Sequence, residues 1–166
     1  MGALAIGFAL ALLAAAPASA FELTSPAFPV NGDIPRKHTC DAENVSPALT
    51  WTIPPTGTRS LVLIVEDPDA PRGTFTHWVL YDIPADTREL AEGKPVGKAG
   101  VNDFGKRGWG GPCPPPGPPH HYVFKLFPVD RAVSLPEGKS KADVLKAIEG
   151  HVIGKPAERG GVYSRR

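Results

Sequence analysis

The chain has almost no excess charge. Its 18 Lys and Arg residues face 17 Asp and Glu, for a formal net charge of +1. A nucleic-acid partner needs a strongly basic face, so that function class is set aside. The usual catalytic signatures are missing as well. There is no G-x-S-x-G, no H-E-x-x-H and no P-loop. No evident nucleophile stands beside a base, no cofactor motif appears, and no internal repeat is visible. These absences favour a binding protein over an enzyme. Long hydrophobic runs are scarce too. The single extended one, Gly2 to Ala16, is shorter than the roughly 20 residues that span a bilayer.

That run carries a different message. It is followed by Pro17-Ala18-Ser19-Ala20, with small residues at Ala18 and Ala20. This is the pattern of a signal-peptide cleavage site, although no Lys or Arg precedes the run. Residues 1–20 are read as a signal peptide. Residues 21–166 are then one domain, exported to a periplasmic or extracellular space, with no membrane span left after cleavage. A domain of that size buries about two thirds of its unfolded surface, enough for its own core. Both cysteines, Cys40 and Cys113, lie in the exported part. An oxidising compartment favours a disulfide between them over two separate thiols.

Pro and Gly number 20 and 18 and fall in clusters, with short apolar runs between them. Many turns between short runs indicate a mainly β domain. Strands are expected at Leu49–Ile53, Ser60–Val65, Thr76–Ile83 and His121–Val129. A last pair is expected from Gly150–Ile153 and Gly161–Ser164. The continuous run Leu61-Val62-Leu63-Ile64-Val65 predicts a central strand buried on both faces. One helix is expected after Ser140, with Asp143 completing a capping box and Gly150 as its stop. Leu145, Ile148 and Ala142 are expected to share its apolar face. Pro112–Pro119 holds six prolines in eight residues and reads as a rigid loop.

Three segments could carry chemistry. Asp67-Pro68-Asp69-Ala70-Pro71 follows the central strand. It is either a plain turn or a carboxylate held stiffly at a strand end. His77 is the second residue of the next strand, where alternation groups it with Val79, Tyr81 and Ile83. At His120-His121-Tyr122, alternation turns His120 and Tyr122 inward, with Phe124 and Leu126, and His121 outward. Two inward imidazoles, a phenol and a carboxylate would form a compact polar cluster. A His/His/Asp set is a permitted metal site, but no motif supports one. Anion binding needs only donors: imidazole N–H, Tyr O–H and backbone N–H from the Gly110-Gly111 stretch.

These residues resemble the phosphatidylethanolamine-binding protein family, and most closely its bacterial, Raf kinase inhibitor-like branch. The resemblance rests on Asp67-Pro68-Asp69-Ala70-Pro71, Thr76-His77-Trp78, Gly110 to Pro115 and His120-x-Tyr122. Thr39-Cys40-Asp41, Asn44-x-Ser46-Pro47 with Leu49-x-Trp51, and Gly150-His151-Val152 add to it. It implies a Greek-key-like β-sandwich with few short helices. It also implies a small surface pocket for phosphate, phosphoethanolamine or a phospholipid headgroup. By position, the pocket residues are Asp67, His77, Gly111, Pro112, His120 and Tyr122, with Asp69 bracing the loop. Many members carry Arg where this chain has His121. The expected partner is the small anion. The alternatives are a protein partner bound in an inhibitory role, which would use the surface around the pocket, and a second copy of the chain.

Overall fold

The computed structural model of the protein describes residues 20–165. The expected signal peptide therefore lies, apart from Ala20, outside the described residues. Eight strands and one helix follow in order: β1 (Leu23–Thr24), β2 (Leu49–Trp51), β3 (Ser60–Asp67), β4 (Phe75–Pro84), β5 (Glu89–Leu90), β6 (Lys98–Ala99), β7 (His120–Val129), α1 (Lys141–Ile148) and β8 (Ala157–Tyr163). A 3-10 turn, Arg36–His38, precedes β2. The strands form two antiparallel sheets, a small one ordered β1-β2-β5 and a large one ordered β6-β4-β3-β7-β8.

The central strand β3 explains how the layers pack. Its side chains alternate, as a pleated strand requires. Leu61, Leu63 and Val65 face the small sheet and meet Leu49, Trp51, Leu90, Phe124 and Leu126 in one core. Val62 and Ile64 face the other way and meet Val144 and Ile148 of α1, with Val79, Tyr81 and Val129, in a second core. The apolar run is thus buried on both faces, as its composition implied. Each fully buried Leu, Val or Phe side chain contributes about 1.5–3 kcal/mol of transfer free energy, so β3 anchors both layers.

The helix begins as expected. The Ser140 hydroxyl accepts from the Asp143 N–H, and the Asp143 carboxylate accepts from the Ser140 N–H, a reciprocal capping box. Gly150, at φ 75°, supplies the left-handed residue just beyond its end. Its buried face differs from the expected one. Val144 and Ile148, four residues apart, point inward, whereas Leu145 and Ala142 are exposed. The sheet lies one position round the helix from where the Leu-Ile pair suggested.

The last strand pair is also different. β8 pairs with β7, and Gly150–Ile153 forms no strand. Only Val152 bridges, to Val129. The outer edge of β8 is covered by the loop before the 3-10 turn. Asn31 N–H donates to the Gly160 carbonyl at 2.9 Å and Ile34 N–H to the Val162 carbonyl at 2.8 Å. A covered edge offers no template for another strand. Among the described residues no helix is long and apolar enough to cross a membrane.

Candidate functional site

Three neighbouring strands bring their chemistry to one end of the large sheet. β3 ends at Asp67, β4 begins at Phe75 and β7 begins at His120; Asp67 lies opposite Phe75. The Pro-bounded turn after β3 ties Asp67 down. Its Oδ1 accepts from the Asp69 N–H at 2.8 Å, an Asx turn of the kind that Asp favours before Pro. Its Oδ2 accepts from His120 Nδ1 at 2.7 Å. Asp67, His77 and His120 are only 3, 3 and 9 % exposed, so the carboxylate and both rings have fixed orientations.

His77 reaches the site by a route that simple alternation does not give. Val79 and Tyr81 face the helix, and Ile83 faces the small sheet. His77 lies on the small-sheet side, edge-on to Tyr122 with ring centroids 5.1 Å apart. Two irregularities in the β3–β4 register break the period of two. One lies between Leu61 and Leu63, the other between Val65 and Glu66. The second leaves His77 as an extra residue between Trp78 and Thr76, and a bulge of this kind re-aims a side chain. His77 Nδ1 then donates to the Gly110 carbonyl at 2.6 Å. A carbonyl can only accept, so that nitrogen carries the hydrogen. Burial pushes the His77 pKa below its ordinary value of 6.5. At neutral pH the ring is therefore uncharged, and Nε2 offers a lone pair.

His120, Tyr122, Phe124 and Leu126 share the inward face of β7, and His121 points to solvent. His121 still has a local partner. Asp69 Oδ2 accepts from its N–H at 2.8 Å and its Nδ1 at 2.6 Å. These bonds, the backbone one first, hold the Asp69 carboxyl below the usual carboxylate range. Asp69 thus braces the turn against β7 from outside.

His77, His120 and Asp67 open into a pocket of about 480 Å³. Its other walls are Phe75, Asp103, Phe104, the loop from Ala70 to Thr74 with Arg72, and Cys113 to Pro115; Asp103 Oδ2 accepts from the Thr76 N–H at 2.6 Å. Gly111 and Pro112 stand behind this wall. Gly111 N–H donates to Asn44 Oδ1 at 2.8 Å, and the Pro112 carbonyl accepts from the Cys40 N–H at 3.1 Å. A Cβ on Gly111 would sit 2.2 Å from the His38 carbonyl oxygen, so only glycine fits there. The Cys40–Cys113 disulfide, with Cα atoms 5.4 Å apart, fastens the same loop one residue further on. Tyr122 lies beneath His77. Its hydroxyl is sealed from solvent and has no hydrogen-bond partner, and burial, with the nearby Asp67 charge, raises its pKa far above the ordinary value. Among the described residues no three His, Cys, Asp or Glu side chains converge as metal ligands would.

Arg72, Phe75 and Phe104 were not foreseen. Arg72 lies on the β3–β4 loop and Phe75 opens β4, both between Asp67 and His77 in the chain, whereas Phe104 joins from the loop after β6.

A protein-family model described as phosphatidylethanolamine-binding protein matches residues 24–163. The chain belongs to the phosphatidylethanolamine-binding protein family. Its relatives include a UPF0098 protein of Aquifex aeolicus, 43% identical over 99% of both chains. Another, from Methanothermobacter thermautotrophicus, is 46% identical over 87% of this chain and 99% of its own. Among solved structures, a phosphatidylethanolamine-binding protein homologue from Chlamydia trachomatis, CT736, aligns with a TM-score of 0.85. It is 37% identical and covers 90% of this chain and 100% of its own. Escherichia coli YbcL, described as a member of the mammalian family, aligns at 0.81 with 33% identity, covering 88% and 99%. Membership of the phosphatidylethanolamine-binding protein family makes this a ligand-binding fold in general, and it agrees with the two-sheet architecture. In this member, the cleft between β3, β4 and β7 is the place where buried polar groups meet open space.

Proposed function

We propose that the protein binds a small oxyanion, such as phosphate or a phosphoethanolamine headgroup, between His77, His120 and Arg72, and that it does so as an exported binding protein rather than an enzyme. One observation carries this reading. Both imidazoles have Nδ1 engaged by an acceptor, Gly110 in one case and Asp67 in the other, so both Nε2 edges are left for the pocket. The Asp67 oxygens already accept two bonds, which lessens their repulsion of an incoming anion. Arg72 adds a charged donor at the mouth.

The neutral His77 narrows the ligand class. Near pH 7 its Nε2 accepts a hydrogen bond and does not donate one. A hydrogen phosphate, whose O–H can donate to that lone pair while its other oxygens accept, suits this edge better than sulfate, which has no proton to give. On protonation, Nε2 becomes a donor and the preference fades. Isothermal titration at pH 7.5 and pH 5.5 tests this. Phosphate should bind more tightly than sulfate at pH 7.5, and sulfate should gain affinity at pH 5.5. His120→Ala should weaken both by at least about tenfold, the loss expected for one charge-assisted hydrogen bond. Absence of any binding at either pH, or binding indifferent to His120→Ala, would remove the reading.

A further inference from the structure

A second cavity, of about 370 Å³, opens between the 3-10 turn and the C-terminal end of β8. Arg36, Asp41, Tyr163, Ser164 and Arg165 form it. Asp41 organises the group. Its Oδ2 accepts from the Tyr163 hydroxyl at 2.7 Å, and its Oδ1 meets Arg165 Nε at 3.0 Å. The Tyr163 bond and the neighbouring guanidinium groups hold the Asp41 carboxyl below its usual range, so it is ionised. Among the described residues of the cavity, one carboxylate stands between two guanidinium groups and leaves one positive charge unbalanced. Among the described residues, Arg36 forms no side-chain hydrogen bond or ion pair, Arg165 forms none beyond Asp41, and the Ser164 hydroxyl forms none. The two guanidinium groups can only donate, the Ser164 hydroxyl can also donate, and the cavity gives all three a common ligand space.

We propose that this cavity is a carboxylate-binding site, with the ligand held between the guanidinium groups of Arg36 and Arg165 and the hydroxyl of Ser164. A guanidinium fork matches two coplanar oxygens, which is the shape of a carboxylate. A monocarboxylate also balances the single excess charge, whereas a phosphate dianion would leave the site negative. Asp41 acts as a positioning residue that fixes Arg165 and Tyr163 before the ligand arrives. The carboxylate could belong to a small organic acid or to a peptide C-terminus. The site uses none of the groups that face the His77–His120 pocket. The two are close, however, since Tyr163 pairs with His120 and Pro116 bridges Arg165.

The test is an amide NMR titration with acetate, and with a tripeptide bearing a free or an amidated C-terminus, on the parent protein and on His120→Ala, Arg36→Ala and Arg36→Lys. Arg36 is exposed, so its variants keep the fold. Acetate should shift the amides of residues 163–165, and these shifts should persist in His120→Ala. Arg36→Ala should weaken binding at least about tenfold, with Arg36→Lys intermediate because it keeps the charge and loses the fork. A free tripeptide that binds more tightly than acetate, with its amide inert, assigns the site to a peptide terminus. Equal binding of acetate and the free tripeptide assigns it to small acids. Shifts at 163–165 that vanish in His120→Ala, survive Arg36→Ala, or never appear would overturn the proposal.

Discussion

His77 and His120 bring the same side chain to the same pocket and arrive chemically different. The Nδ1 of His120 meets a carboxylate, and that of His77, a ring set among three aromatic rings, meets a peptide carbonyl. Burial lowers the His77 pKa from 6.5 in the folded protein. The unfolded chain therefore takes up more protons than the folded one as pH falls below about 6.5. The contribution of His77 to stability is complete above that value and is lost as pH falls through the folded pKa. Thermal melts at pH 7.5 and pH 5.5 should show a drop for the parent that shrinks in His77→Gln. Saturating sulfate should restore part of the drop, because an anion favours the charged ring. Tyr122 makes the opposite case. Its hydroxyl is sealed and unpartnered, and an unsatisfied buried hydroxyl costs about 1–3 kcal/mol. Tyr122→Phe should match or exceed the parent in urea denaturation and keep phosphate affinity within about twofold, a change small against the tenfold of one lost charged bond. A large loss of affinity would mean that the hydroxyl reaches the ligand.

At the scale of elements, the pocket is a loop held against three strand ends. Cys113, Pro114 and Pro115 form one wall, and that wall is fastened by the Cys40 bridge and by Gly111 packed against His38. The bridge joins residues 73 apart, for which loop entropy gives about 4 kcal/mol. Cys40→Ser with Cys113→Ser should lose stability of that order in urea denaturation and should also weaken phosphate binding. Loss of stability with unchanged affinity would show that the wall holds its shape without the bridge. Ser140→Ala, which removes half of the capping box, should cost about 1 kcal/mol and leave affinity alone. The long elements were legible in the sequence because their patterns are long. The apolar run of β3, the alternating face of β7 and the cap of α1 all read correctly. β1, β5 and β6 are two residues each and carry no periodic signal. The β4 bulge was hidden for another reason. It arises from register against β3, a property of two strands together, so Thr76–Ile83 alone gives His77 the wrong face. Within the site, Asp67 and His120 were readable as candidates because each adjoins a clear strand, but their pairing appears only in the structure. Phe104 belongs to a loop whose neighbours are set only by the closed fold.

For the whole molecule, bridge, pocket and proposed export form one chain of cause. The wall of the pocket is fastened by an oxidised pair, and oxidised pairs persist outside the reducing cytosol. We expect protein made with residues 1–20 intact to be recovered beyond the cytoplasmic membrane, beginning at Phe21. Its mass should be about 2 Da below that of the dithiol form, the two hydrogens lost on oxidation. The same protein made without residues 2–16 should stay in the cytosol, with Cys40 and Cys113 open to alkylation. Its phosphate affinity should be lower until the bridge is formed by mild oxidation, and then equal to that of the exported form. Mass spectrometry of the two fractions, followed by titration before and after oxidation, separates the steps. Cytosolic recovery of the full-length chain would refute export and leave the pocket untouched. Equal affinity of the thiol and disulfide forms would refute the dependence of the pocket on compartment, because the wall from Cys113 to Pro115 would then be held without the bridge by the Gly111–Asn44 and Cys40–Pro112 hydrogen bonds.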